Sequence, residues 1–249
     1  MIGFAGAAAP MTIDGLRQAA NLLRCDAAAV LAVIDVETDG CGFLPDRRPQ
    51  ILFERHVFRR ETGGRFDATA PDLSAPSAGG YGARGAGQYD RLTRAVALDQ
   101  AAALRSTSWG LGQIMGFNAE FAGYDGASDM VGAFTNSENA QLLAMARFIC
   151  HSRLDAALRL HRWGAFARGY NGPAYQQHGY DGRLEAAYAR RRNGRPIDMV
   201  LRATQVLLMF AGLYRGRIDG LMGALTEAAI TAAKKNGIDV GLVAGAAQW

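Results

Sequence analysis

The stretch AVIDVETDGCGF, residues 32–43, ends an apolar helix on two carboxylates and two glycines, and that ending limits how the segment can pack. Val30, Val33, Ile34 and Glu37 are spaced by three, one and three, the stripe of a single helix face. Asp35 stands roughly 200° around from Glu37 at about 100° per residue. The stripe therefore turns Glu37 into the protein and leaves Asp35 and Asp39 to solvent. Gly40 and Gly42 predict the stop. A carboxyl group so placed is partly desolvated, sits near the negative end of a helix dipole, and has no basic residue in the eight positions that follow. All three raise its pKa, which suits a group that donates a proton at neutral pH.

The rest of the chain sets the scale. Its 249 residues are 49% hydrophobic and 20% charged, enough apolar material for a real core in one large domain or a medium one with an appendage. No apolar run reaches the roughly 18 residues of a membrane span, so no stable membrane insertion is expected. The opening MIGFAGAAAPM lacks a basic region and does not read as a signal peptide. A net charge of +4 fits attraction to a polyanion without choosing between nucleic acid and a cell wall. Cys25, Cys41 and Cys150 form no CxxC pair and no even set, which points to synthesis in a reducing compartment.

The pattern along the chain is mostly helical. Helices are expected over 12–24, 26–38, 90–105, 111–122, 138–150, 151–162 and 181–192. A β-like run, QILFERHVF, and a Gly/Pro/Ser-rich loop at 63–87 fall between. ARRRNGRP, residues 189–196, reads as a linker to two short amphipathic helices. Several motifs are set aside. GYGARG fits GxGxxG, but PDLSAPSAG precedes it where a strand is required. The four histidines show no metal-ligand spacing, so no metal or cofactor is expected, and His151 and His161 are assigned to caps or polar contacts. There is no GxSxG, and Cys41 with His56 has no support as a thiol–base pair.

Two further segments matter. STSWGLGQIMGFN, residues 106–118, offers Ser108 as a helix N-cap, two glycines that allow close backbone approach, and Gln113 as a bidentate hydrogen-bonding group. ARGYNGPAY, residues 167–175, sets Tyr170 and Asn171 at a glycine-flanked turn where side chains can face a cleft. Aromatic faces beside amide donors suit a polysaccharide groove.

In their order, VETDGCGF, then GLGQI, then GYNGP, these segments resemble the lysozyme-like superfamily of goose-type lysozymes and lytic transglycosylases. They are closer still to the phage and prophage N-acetylmuramidase family, the catalytic domain of many modular endolysins. FLPDRRPQILFERHVF, GGYGARGAGQYDRLTRAVALD and FARGYNGPAYQQHGYDGRLEAAYAR extend the likeness from about residue 12 to 190. Thr38 and Asp39 depart from the small residues expected after the glutamate. The resemblance implies a mainly α catalytic domain of lysozyme-like α+β type with a small β or irregular lobe, over residues 1–190. It implies Glu37 as the catalytic glutamate and Ser108, Gln113, Tyr170 and Asn171 as substrate contacts. The substrate would be bacterial peptidoglycan, cut between N-acetylmuramic acid and N-acetylglucosamine by a monomer with no nucleic-acid partner. The enzyme would be made in the bacterial cytoplasm and reach the wall by export or holin-type release.

Glu54, in ILFERH, is the candidate second carboxylate, with a salt bridge to Arg47 or Arg55 as its structural alternative. A carboxyl separation of about 6.5–9.5 Å would serve inversion and about 5–5.5 Å retention. Beyond the linker at 191–196, residues 197–249 resemble a small helical peptidoglycan-binding domain. Gln205, Tyr214, Asp219, Gly220, Gly223 and Thr226 hold its pattern, with Tyr214, Asp219 and Thr226 as wall-binding candidates and a last helix expected in NGIDVGLVAGAAQW. A lytic transglycosylase, a non-catalytic wall-binding protein and a Cys-His wall peptidase stay open at this point.

Overall fold

A computed structural model describes residues 3–239. The chain opens with α1 (Ile13–Leu23) and α2 (Ala27–Thr38), capped at their N-termini by Thr12 and Asp26. A short strand β1 (Ile51–Phe53) leads into α3 (Arg55–Glu61), and the long loop ends at α4 (Gly87–Leu98) and α5 (Gln100–Arg105). Strands β2 (Thr107–Trp109) and β3 (Ile114–Met115) complete an antiparallel sheet of order β1-β2-β3, with Leu52 opposite Ser108 and Ser108 opposite Met115. Then come α6 (Ala127–Asn136), α7 (Glu138–His151), α8 (Asp155–Arg159), α9 (Trp163–Asn171) and α10 (Tyr180–Asn193). Finally α11 (Met199–Phe210) and α12 (Ala224–Lys235) form a small C-terminal unit. The architecture is mainly α with a small sheet. The last helix expected in the C-terminal segment falls largely on residues 240–249, outside those described.

Helix α2 lies between α1 and α10 and is buried on nearly every side, from Ala29 to Val36. A helix apolar all round belongs in a core, and here that corrects the one-face reading. Asp35 does not face solvent. It is 5% exposed, and Arg191 of α10 grips it bidentately through Nε at 2.9 Å and Nη2 at 2.7 Å, with Arg217 at 3.4 Å. Asp35 does lie on the far side of the helix from Glu37, but that side meets protein rather than water. Asp39 is exposed, as expected, and ends the helix in a left-handed conformation, φ 52°.

Other expectations also change. Residues 111–122 form a hairpin and a 3-10 turn rather than a helix, because 107–109 pair with β1 and Gly110 turns the chain at φ +66°. A Cβ at Gly110 would sit 2.7 Å from Gln141 of α7, so the close approach read from the glycines is real. QILFERHVF splits into β1 and α3 once Glu54 N–H donates to Ser106 O at 2.9 Å, ending the ladder. Arg191, Arg192 and Asn193 are the last turn of α10.

The C-terminal unit shares a core with the turn that follows α2. Cys41 and Phe43 pack with Leu201, Val206, Tyr214 and Ile218, and the Phe43 and Phe210 rings meet edge-on at 6.2 Å. Beneath them Arg202 of α11 and Glu138 of α7, 1% and 0% exposed, form a bidentate pair at 2.7 and 3.0 Å. Glu138 also accepts from Met11 N–H at 2.7 Å and Gly42 N–H at 2.9 Å, so its lone pairs are well used. These four donors outweigh the cost of burial and hold its pKa below the usual carboxylate value.

Candidate active site

Glu37 projects from the last turn of α2 onto the wall of an open cleft of about 770 Å³. The same cleft is lined by Glu54, Ser108, Gln113, Tyr170 and Asn171, so the structure brings together all the residues singled out around Glu37. It adds Asp39, which the sequence reading left to solvent, and Arg84, His178, Tyr180 and Arg183, which that reading passed over.

The surroundings of Glu37 are set mainly by α10. Tyr180 O–H donates to Glu37 Oε1. Arg183, one turn further along α10, donates to the Val36 carbonyl at 2.8 Å, satisfying one of the open carbonyls at the end of α2. Gln50 Nε2 covers another, Thr38 O at 3.2 Å, and also donates to Cys41 O in the following turn at 2.8 Å. The helix end is therefore fixed from both sides, and Glu37 with it. Desolvation of the carboxyl is the dominant effect and lifts its pKa from 4.5 to about 7, against the opposing Tyr180 hydrogen bond and Arg183 charge. Tyr180 and Tyr170 are themselves pushed well above the usual tyrosine value by burial and by Glu37, so both stay protonated as donors.

Glu54 occupies the N-cap position of α3, facing its own partners. Tyr81 O–H donates to its Oε1 at 3.2 Å, and His56 Nδ1 lies 3.1 Å from its Oε2. Neither arginine considered as a salt-bridge partner is engaged with it. Arg55 donates to Ser77 O at 3.0 Å, and Arg47 lies over the Phe210 ring at 5.0 Å. Burial raises the Glu54 pKa, with His56 as the chief opposing charge.

Ser108 is not a helix cap. It lies in β2, and its hydroxyl donates to Gln113 Oε1 at 2.9 Å. Gln113 Nε2 in turn donates to Gly110 O at 2.9 Å, which steadies its left-handed φ of 47°. Tyr170 is in the final turn of α9, and its hydroxyl donates to Gly112 O at 2.6 Å, tying α9 to the β2–β3 turn. These polar groups shape the cleft wall. Asn171, exposed at the end of α9, stands at the cleft edge.

In the C-terminal unit the polar residues of the sequence pattern converge on Gln205. Its Nε2 donates to Asp219 Oδ1 at 3.1 Å, Leu221 O at 3.2 Å and Thr226 Oγ1 at 3.2 Å, with Tyr214 Oη at 3.4 Å, while its Oε1 accepts from the Asp219 and Gly220 N–H groups. Tyr214 and Thr226 are buried and Asp219 half-buried, so their side chains hold the loop between α11 and α12 in shape. Cys41 is buried in the shared core, where desolvation drives its thiol pKa up, the reverse of what a nucleophile needs. His56 sits against Glu54 instead. His151 stacks on Phe121, and His161 stacks on Trp163 with its ring tilted against Tyr188.

A carboxyl group with its pKa raised to about 7, on the wall of an open cleft in a mainly α fold with a small sheet, fits a glycoside hydrolase of the lysozyme type. The chain belongs to the N-acetylmuramidase family, whose model matches residues 26–192, and is a peptidoglycan hydrolase. Among solved structures it is similar to the Burkholderia AP3 phage endolysin, at 43% identity and a TM-score of 0.67, over 74% of this chain and 71% of that one. A comparison with curated proteins finds no match.

Proposed function

We propose that this chain is an endolysin-type enzyme that hydrolyses the β-1,4 bond between N-acetylmuramic acid and N-acetylglucosamine. Glu37 gives its proton to the glycosidic oxygen as that bond breaks. Water adds to the freed anomeric carbon and passes a proton to Glu54, the second carboxyl of the cleft. The observation that carries this reading is the Glu37 carboxyl, held by Tyr180 and desolvated until its pKa reaches about 7. Similarity to a phage endolysin supports the cell-lysis role. Residues 1–190 are the catalytic domain in this proposal, and 197–249 add affinity for the wall.

The test is mass spectrometry of products from purified sacculi, run with the wild type and Glu54→Gln. Hydrolysis predicts reducing muramic acid ends, heavier by one water than the 1,6-anhydro ends of a transglycosylase. Glu54→Gln is expected to slow release by about 10²-fold or more with the same product ends. Its melting temperature should barely move, because an amide can still accept from Tyr81. Anhydro ends in the wild-type digest would overturn hydrolysis. A near-normal rate with a large melting shift would reduce Glu54 to a structural partner of His56.

A further inference from the structure

We propose that Arg202, in the C-terminal unit, is a positioning residue for the reaction, holding the turn that ends the helix carrying Glu37. The inference rests on the reading of Glu37 as the acid. Besides pairing with Glu138, Arg202 donates through Nη2 to the Gly40 carbonyl at 2.5 Å. Gly40 lies three residues past Glu37, at φ +98°, and a Cβ there would stand 2.3 Å from the Ile218 carbonyl. The turn is thus pressed directly against the loop between α11 and α12, with no room for a side chain. Glu138, itself fixed by Arg202, accepts from Gly42 N–H on the other side of the same turn.

A second tie stands two residues before Glu37. Asp35 is gripped by Arg191, whose Nη1 also donates to the Asp219 carbonyl at 3.0 Å, so Asp35 is linked to the C-terminal unit as well. Glu37 is therefore bracketed on both sides: the Gly40 turn meets Arg202 and Ile218, and Asp35 meets Arg217 directly at 3.4 Å and Asp219 through Arg191. A unit that only tethered the enzyme to its substrate would need none of these contacts. Here it buttresses the catalytic wall, and a small displacement of a reacting group is enough to cost about 10²-fold in rate.

The experiment uses the full chain on soluble glycan strands, with kcat and KM measured separately. Glu138→Gln/Arg202→Met removes the buried charge pair together, a change that buried pairs often tolerate in stability. It also removes the donor to Gly40. The folded double variant is expected to lose about 10- to 100-fold in kcat with KM within about twofold of wild type. Arg202→Lys keeps a cation opposite Glu138 without the planar fork, so it should fold and give an intermediate kcat. Either folded variant decides the matter, and one with wild-type kcat overturns the positioning role. Glu37→Gln, measured beside them, separates the two failures. Activity in that variant sinks the assignment of the acid, whereas its inactivity beside an unimpaired double variant sinks only the role of Arg202.

Discussion

Glu37→Gln is expected to cut lysis of outer-membrane-permeabilised cells by about 10²–10⁴-fold, the worth of a general acid, without loss of fold. The amide keeps an oxygen for Tyr180 and the volume of the side chain, so only the transferable proton is removed. The stability side carries a definite sign. With a folded pKa of about 7 against an ordinary 4.5, the native state holds a proton there that the unfolded chain has released. The stability this group contributes is complete below pH 4.5 and is lost as pH rises through 7. Glutamine has no such loss, so at pH 8 the variant should melt no lower than the wild type. A well-folded Glu37→Gln enzyme with more than about a tenth of normal activity would contradict the role, since even the low end of acid catalysis exceeds that factor.

Arg202→Ala is expected to be the most damaging substitution for stability, by about 3–5 kcal/mol, because it leaves Glu138 buried without its counter-charge. For a chain of this size that corresponds to a melting temperature lower by roughly 6–20 °C. In the wild type Glu138 has a depressed pKa, so its contribution is present above 4.5 and is lost only as pH falls through the lower folded value. Removing the arginine reverses the sign. Burial then raises the Glu138 pKa, and the deficit should shrink toward pH 4, where the acid is neutral. Calorimetry at pH 4 and pH 8 reads both effects, and an unchanged melting temperature at pH 8 would mean that the pair contributes nothing.

The same contacts show what the sequence could reveal. Glu37 was legible because Val30, Val33 and Ile34 set a stripe and glycines marked the helix end, all within a dozen residues. The cleft was legible from the order of three segments. Asp35 was misread because local periodicity reports which residues share a face and says nothing of what covers the opposite one. Its partner Arg191 lies 156 residues away, and Arg202 lies 64 residues from Glu138. Tyr180 stood within a segment already matched to the family, but as one tyrosine among several it had no local mark. What points to it is the fold of α10 across the end of α2. The hairpin at 107–115 failed for a related reason, since pairing with β1 is a long-range event that a run of glycines and apolar residues does not announce. In the C-terminal unit, Tyr214, Asp219 and Thr226 were read as wall-binding candidates from their spacing in a family pattern, which could not show that their side chains converge on Gln205.

The proposed reaction needs a glutamate that is still protonated in a sizeable fraction of molecules at neutral pH. Carbon-13 NMR titration of the Glu37 side-chain carboxyl, in the full chain and assigned through Glu37→Gln, measures this directly. The midpoint is predicted at about 7, set by desolvation against the Tyr180 hydrogen bond and the Arg183 charge. A midpoint at the ordinary 4.5 would mean an ionised carboxylate at neutral pH, with no proton to give, and would contradict the account.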